Sequence, residues 1–310
     1  MPRSRQLTIL GTICGVCLTA MAIADTPEPV INWHDTWLGA QAAARKSGRR
    51  VLTYIYHHNQ PACVEMDRTT LATPAVIEAL NAGFEPLQVN GASSRARAFL
   101  DKYAVGTRES VDRGVAISSG AYPAYLLLDA KGTEAFRAYG YYPPDAFVQL
   151  LEQLRRLGAL ADALAAQPQD ARVGAQLGHL YLELERPEQG KPLLAQAVQL
   201  DPENRAGARQ EAELDLTILA IPDQPDEAFR GLVTYRFSYP ESARGLEARY
   251  YMAVARLAGR HYDQAEKLLL DFAAIPKEHP DYRNPWTARA DLLLQQLREL
   301  MKQPAPSPNP

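Results

Sequence analysis

One thiol carries most of the chemistry that this sequence offers. Cys63 closes the turn Gln60-Pro61-Ala62-Cys63, which follows Val51-Leu52-Thr53-Tyr54-Ile55-Tyr56. That run is rich in β-branched and aromatic residues and apolar nearly throughout, as a central buried strand should be. A helix is expected from about Pro61. Three chemistries compete for Cys63. One is inert packing, because free Cys is among the most buried residue types. Another is a monothiol that forms a mixed disulfide or a sulfenic acid, its thiolate favoured by the helix start. The third is a soft metal ligand beside His57, His58 and Met66, a set suited to Cu(I). Adjacent histidines on an extended segment point to opposite faces, so both cannot easily reach one ion and no metal is expected. No phosphate loop, Ser–His–Asp set or paired-carboxylate motif stands out elsewhere, and no cofactor is expected.

The compartment decides what a lone thiol can do. Arg3 and Arg5 precede an apolar run from Leu7 to Ile23, which ends in Ala22-Ile23-Ala24. This pattern reads as a secretory signal, residues 1–24, cut before Asp25. An uncleaved anchor is the alternative, but the run is marginal against the ~20 apolar residues that a span needs. A periplasmic location follows, with no membrane span after cleavage. Cleavage removes two arginines and no acid, taking the formal charge from −3 to −5. A mildly acidic protein is not built to hold nucleic acid by its phosphates. Cys14 and Cys17 leave with the signal, so the mature chain keeps Cys63 alone and cannot form an internal disulfide.

Residues 33–157 alternate between helix and strand. Helices are expected at Trp37 to Ala44, from Pro61, at Pro74 to Ala82, Ala92 to Tyr103 and Asp145 to Leu157. Strands are expected at 51–56, Phe84 to Val89, Ala124–Asp129 and Glu134–Tyr139, the last two joined by a turn at Ala130-Lys131-Gly132. A loop of mixed polarity fills Val105 to Gly120. Tyr139, Tyr141 and Tyr142 are expected to pack against the region that follows.

The stretch from Val51 to Asp67 resembles the strand, redox turn and helix of the thioredoxin-like superfamily. Ala72-Thr73-Pro74-Ala75-Val76 resembles the start of the family's next helix. Tyr122-Pro123, ahead of a strand ending at Asp129, resembles its cis-proline turn. The resemblance implies an α/β thioredoxin-like domain over residues 25–157. It also implies that Tyr122 offers its backbone to an extended peptide, with Gln60, Pro61 and Pro123 around the same groove. The family's turn is Cys-x-x-Cys, and here Gln60 stands where the exposed, attacking cysteine belongs. Cys63 aligns with the deeper, resolving one. A dithiol cycle needs both sulfurs. The buried acid found in many thioredoxins falls at Tyr54, where a tyrosine is expected to serve packing.

Beyond residue 157 the strand signal stops. Residues 158–303 show helical spacing broken by Pro, Gly and Asp, and resemble a tetratricopeptide-like helical repeat domain, all-α in class. Residues 171–204 carry the resemblance, with Leu177, Gly178 and Tyr181 on one helix and Gly190, Leu194 and Ala197 on the next. Small residues at Gly178 and Gly190 should let the two helices approach closely. Asp201-Pro202 ends the unit. Residues 248–275 form a looser unit around Ala253, Gly259, Tyr262, Ala265 and Leu269, and 205–237 a degenerate pair. The array should dock on the first domain. The Pro-rich tail, 304–310, is expected to be disordered. The expected function is that of an adaptor or assembly factor binding a protein or peptide partner. A monothiol redox protein using Cys63 is the alternative, so catalysis is left open.

Overall fold

The apolar run of β1 (Arg50–Tyr56) becomes the interior of a four-stranded sheet, with Val51 through Ile55 all buried. The structure is a computed structural model describing residues 29–105 and 122–302. The expected signal segment, most of the 105–120 loop and the tail lie outside the described residues. Strand β2 (Phe84–Asn90) runs parallel to β1, placing Tyr54 beside Gln88. Strand β3 (Ala124–Leu128) runs antiparallel on the other side, with Tyr54 opposite Tyr125. Strand β4 (Glu134–Tyr139) completes the order β2-β1-β3-β4.

Period-two alternation then sorts the side chains into two layers. Val51, Ile55, Leu87, Leu126 and Leu128 face α1 (Trp37–Ser47) and the segment around α4 (Arg97–Lys102). Helix α1 begins where the Thr36 hydroxyl accepts from the Gly39 N–H, and it ends at Gly48, whose φ of 74° only glycine adopts cheaply. Leu52, Tyr54, Tyr125 and Leu127 face the opposite layer, built with α3 (Pro74–Gly83) and α5 (Pro144–Ala166). The helix expected from Pro61 is α2 (Pro61–Glu65), which widens into a π turn over Met66–Thr70. In that turn the Thr69 hydroxyl donates to the Glu65 carbonyl at 2.7 Å, and Thr70 donates to the Tyr142 carbonyl at 2.6 Å. Helix α5 is longer than its sequence suggests and runs unbroken past residues 157 and 158.

Seven further helices follow among the described residues. They are α6 (Ala171–Glu183), α7 (Pro187–Leu200), α8 (Ala208–Leu219), α9 (Pro225–Ser238), α10 (Gly245–Ala258), α11 (Tyr262–Ala273) and α12 (Pro285–Lys302). The expected close approach of α6 and α7 is present at its two glycines. A Cβ on Gly190 would meet the Gly178 carbonyl oxygen at 2.6 Å, and one on Gly178 would meet Leu194 Cγ at 2.7 Å. Gly178→Leu should therefore overpack the crossing and destabilise the protein by about 1–3 kcal/mol, read as a lower melting temperature. The Asp201 carboxylate sits at the bend between α7 and α8 and accepts from the N–H groups of Ala206 and Ala208. Residues 205–237, expected to be degenerate, form the ordinary helix pair α8 and α9. None of the described helices is long and apolar enough to cross a membrane.

The helices dock on the sheet as expected. Leu177, Leu180 and Leu184 of α6 and its C-terminal end enter the same apolar cluster as Tyr125, Phe136 and Leu154. Backbone carbonyls of β4 are met by side chains from this region. Tyr181 donates to the Ala135 carbonyl at 3.4 Å, and Arg186 donates to that of Arg137 at 3.0 Å. The Arg186 guanidinium also lies 5.4 Å from the Phe136 ring centroid. An exposed strand edge invites pairing with another chain, and these contacts cover part of it.

Candidate functional site

The turn after β1 carries Cys63 on the first turn of α2, with Gln60 as its N-cap and Pro61 at the first helical position. Gln60 joins the site through its backbone. Its N–H donates to the His57 carbonyl at 2.9 Å, and its carbonyl accepts from the Cys63 N–H at 3.0 Å. The Gln60 side chain makes no capping hydrogen bond. Pro61 is exposed. Cys63 is 0% exposed, and its Sγ accepts from the His57 N–H at 3.4 Å. Burial pushes its thiol up; the His57 N–H opposes that shift, and Asp67 adds to it. The thiolate stabilisation expected from the helix start is thus outweighed. Helix α2 is five residues long, too short to gather much of a macrodipole.

Tyr122-Pro123 is a cis peptide bond, as the resemblance implies. Pro123 is buried, and its carbonyl accepts from the Gly140 N–H at 2.8 Å. The Tyr122 ring stands 6.0 Å from that of His57 and lies over Gly91, where a Cβ would come within 2.9 Å of the ring. Cys63, His57 and Tyr122 thus form one cluster. His57 and His58 do not point to opposite faces. Strand β1 ends at Tyr56, so the alternation of a strand no longer applies, and the two rings stack at 5.3 Å with 14° between planes. Met66 instead points into the apolar layer. Among the described residues no group of three His, Cys, Asp or Glu side chains is arranged to hold a metal ion.

Tyr54, expected to serve packing, and Asp67 lie beside this cluster. Tyr54 does pack, with Trp33, Tyr56 and Tyr125 at ring distances of 5.6–5.8 Å. It also donates its hydroxyl to Asp67 Oδ1 at 2.8 Å. Partial desolvation raises the Asp67 carboxyl, with the Tyr54 hydrogen bond working in the other direction. Burial and the Asp67 carboxylate together raise the Tyr54 hydroxyl far above its ordinary value, so it remains a donor. The spacing of Asp67, four residues after Cys63 and so one turn onward, is the sequence signal that places it on the same side of the helix. Of the three tyrosines near Gly140, Tyr142 enters the cluster shared with α6, as expected. Tyr139 packs on the opposite layer, and Tyr141 is partly exposed.

Residues 39–155 match the family model described as a thioredoxin-like domain. This part of the chain is a thioredoxin-like domain. The sheet and its flanking helices agree with that assignment, and a helix-rich region follows. Solved structures similar to the chain include a thioredoxin from Thermus thermophilus, 21% identical, covering 44% of this chain and 96% of its own, with a TM-score of 0.35. The C-terminal domain of DsbD from Neisseria meningitidis is similar in its oxidised and reduced forms. Each is 19% identical and covers 37% of this chain and 90% of its own, with TM-scores of 0.30 and 0.29. No curated protein matches the chain. Within the thioredoxin-like domain, the turn after β1 reads Gln-Pro-Ala-Cys, with its sulfur enclosed.

Proposed function

We propose that the chain is a periplasmic adaptor or assembly factor. Its thioredoxin-like domain has given up the dithiol cycle and kept a surface for a protein or peptide partner. The helical region, in the manner of a tetratricopeptide array, supplies a second contact surface. The observation that carries this reading is the state of the sulfur. Gln60 offers no thiol at the exposed position, and Cys63 is enclosed with its thiol pushed up. A thiolate attacks disulfides in proportion to its population and its access, and both are low here. The groove would be framed by Gln60, Pro61, Tyr122 and Pro123, with the Tyr122 backbone pairing to an extended segment.

The monothiol alternative shares the fold and differs in what Cys63 must do. It requires the sulfur to become reachable by a partner thiol or disulfide. Complementation of a strain lacking the protein separates the two. Cys63→Ser is expected to restore function fully, while the bulkier Tyr122→Trp is expected to abolish it. Loss of function in Cys63→Ser, with normal abundance of the variant, would instead establish the redox reading.

A further inference from the structure

Trp33, Tyr54 and Tyr56 form one wall of a cavity of about 500 Å³ on the side of the sheet that carries Asp67. That size suits a small ligand or a single side chain. The rest of the lining is apolar, including Leu71, apart from the Gln88 amide. Asp67 is the one charged residue among the described lining residues. Its Oδ1 is fixed by the Tyr54 hydroxyl at 2.8 Å, and Oδ2 has no hydrogen bond among the described residues. No ion pair meets Asp67 there either. The cation next to it in sequence, Arg68, turns away and pairs with Glu65 at 2.8 Å. The segment that leads into Trp33 is held by Asn81, which donates to the Val30 carbonyl at 2.8 Å and accepts from the Asn32 N–H at 2.9 Å.

Aromatic faces are electron-rich and attract cations within about 6 Å. A carboxylate oriented by a neighbour, with one oxygen free, supplies a full negative charge beside them. Anions would meet Asp67 unfavourably, and neutral apolar ligands would leave it unpaired. From this geometry we infer that the cavity is a binding site for an organic cation of the alkylammonium or guanidinium class. The site does not rest on the adaptor reading. The same chemistry is carried by a free amine and by a lysine or arginine side chain of a bound protein.

The test follows the Trp33 indole resonance of the full chain, assigned through Trp33→Phe. The protein is titrated with n-butylammonium chloride, with acetyl-lysine amide, and with sodium butyrate as the anionic control. A saturable shift at Trp33, absent at Trp286 and absent with butyrate, is expected. Asp67→Asn keeps an oxygen to accept from Tyr54 and should weaken binding by about tenfold or more, the loss of one well-placed charge. Gln88→Lys sets a tethered ammonium beside Tyr54 and should block butylammonium. Tighter binding of acetyl-lysine amide than of butylammonium would support the site with a protein side chain as its occupant. The reverse order would support it with a free amine. No saturable shift, an equal response to butyrate, or unchanged affinity in either folded variant would overturn the proposal.

Discussion

Replacing Arg244 by methionine is expected to cost the helical region about 3 kcal/mol, measured by denaturant unfolding. Arg244 lies just before α10 and reaches three acids. Its Nη2 is 2.6 Å from Asp215, its Nε 2.7 Å from Glu247 and its Nη1 3.1 Å from Glu211. The Asp215 side chain is 3% exposed and that of Glu247 is 12% exposed, so removing Arg244 leaves two largely buried carboxylates without this partner. Removing one member of a buried pair leaves the other uncompensated, at about 3–5 kcal/mol. The low end applies because Asp215 keeps His179 at 2.9 Å. A loss below about 1 kcal/mol would mean that the network is solvated and of the weak surface kind.

The same network sets a pH window. The hydrogen bond to Asp215 raises His179 above its usual value. That stabilisation is complete below about pH 6.5 and fades as pH rises through the folded value. Burial pushes Asp215 up, but the His179 hydrogen bond and the Arg244 charge outweigh it and hold the carboxyl below its usual range. Its stabilisation is complete above about pH 3.9 and fades as pH falls through the lowered folded value. The network should contribute most between about pH 4 and 6.5, and Arg244→Met should flatten the acid side of that profile.

Phe147→Ala is expected to cost about 3–5 kcal/mol, the range for emptying a buried aromatic site. Phe147 is 1% exposed, and its ring centroid lies 5.2 Å from that of Tyr125 and 6.1 Å from that of Tyr142. It sits on the first turns of α5, in the apolar cluster that also holds Leu52 and Leu127 of the sheet and Leu177 and Leu180 of α6. A shared core predicts that the sheet and α6 lose stability together. Thermal melts of the variant should shift both near-UV and far-UV signals by the same amount. Two separated transitions, with one unmoved, would contradict the joint core.

Local signals in the sequence account for most of the frame. The run Val51–Ile55, the stop at Ser47-Gly48 and the hairpin turn before Glu134 each depend on neighbouring residues, and each element stands where its pattern points. Gly178 and Gly190 were legible because a helix crossing that tight leaves room for hydrogen alone. What escaped depends on contacts between distant elements or on the end of a period. The extent of α5 is set by packing of Leu160 and Leu164 on a core that a window of sequence does not contain. The stacked pair His57 and His58 reflects the end of β1 at Tyr56, beyond which strand alternation no longer orients side chains. The Tyr54–Asp67 hydrogen bond joins a strand to a helix, and the Arg244 network joins α8 to α10. No periodicity encodes such pairings.

The accessibility of Cys63 tests the central claim most directly. The chain from Asp25 holds this thiol alone, so alkylation can be followed as a single reaction across pH. An enclosed sulfur with a raised pKa predicts negligible alkylation of the folded protein at neutral pH and one full equivalent after denaturation. Fast alkylation without denaturant, with an apparent pKa below the ~8.5 of a free thiol, would contradict the account and assign the chain to monothiol chemistry.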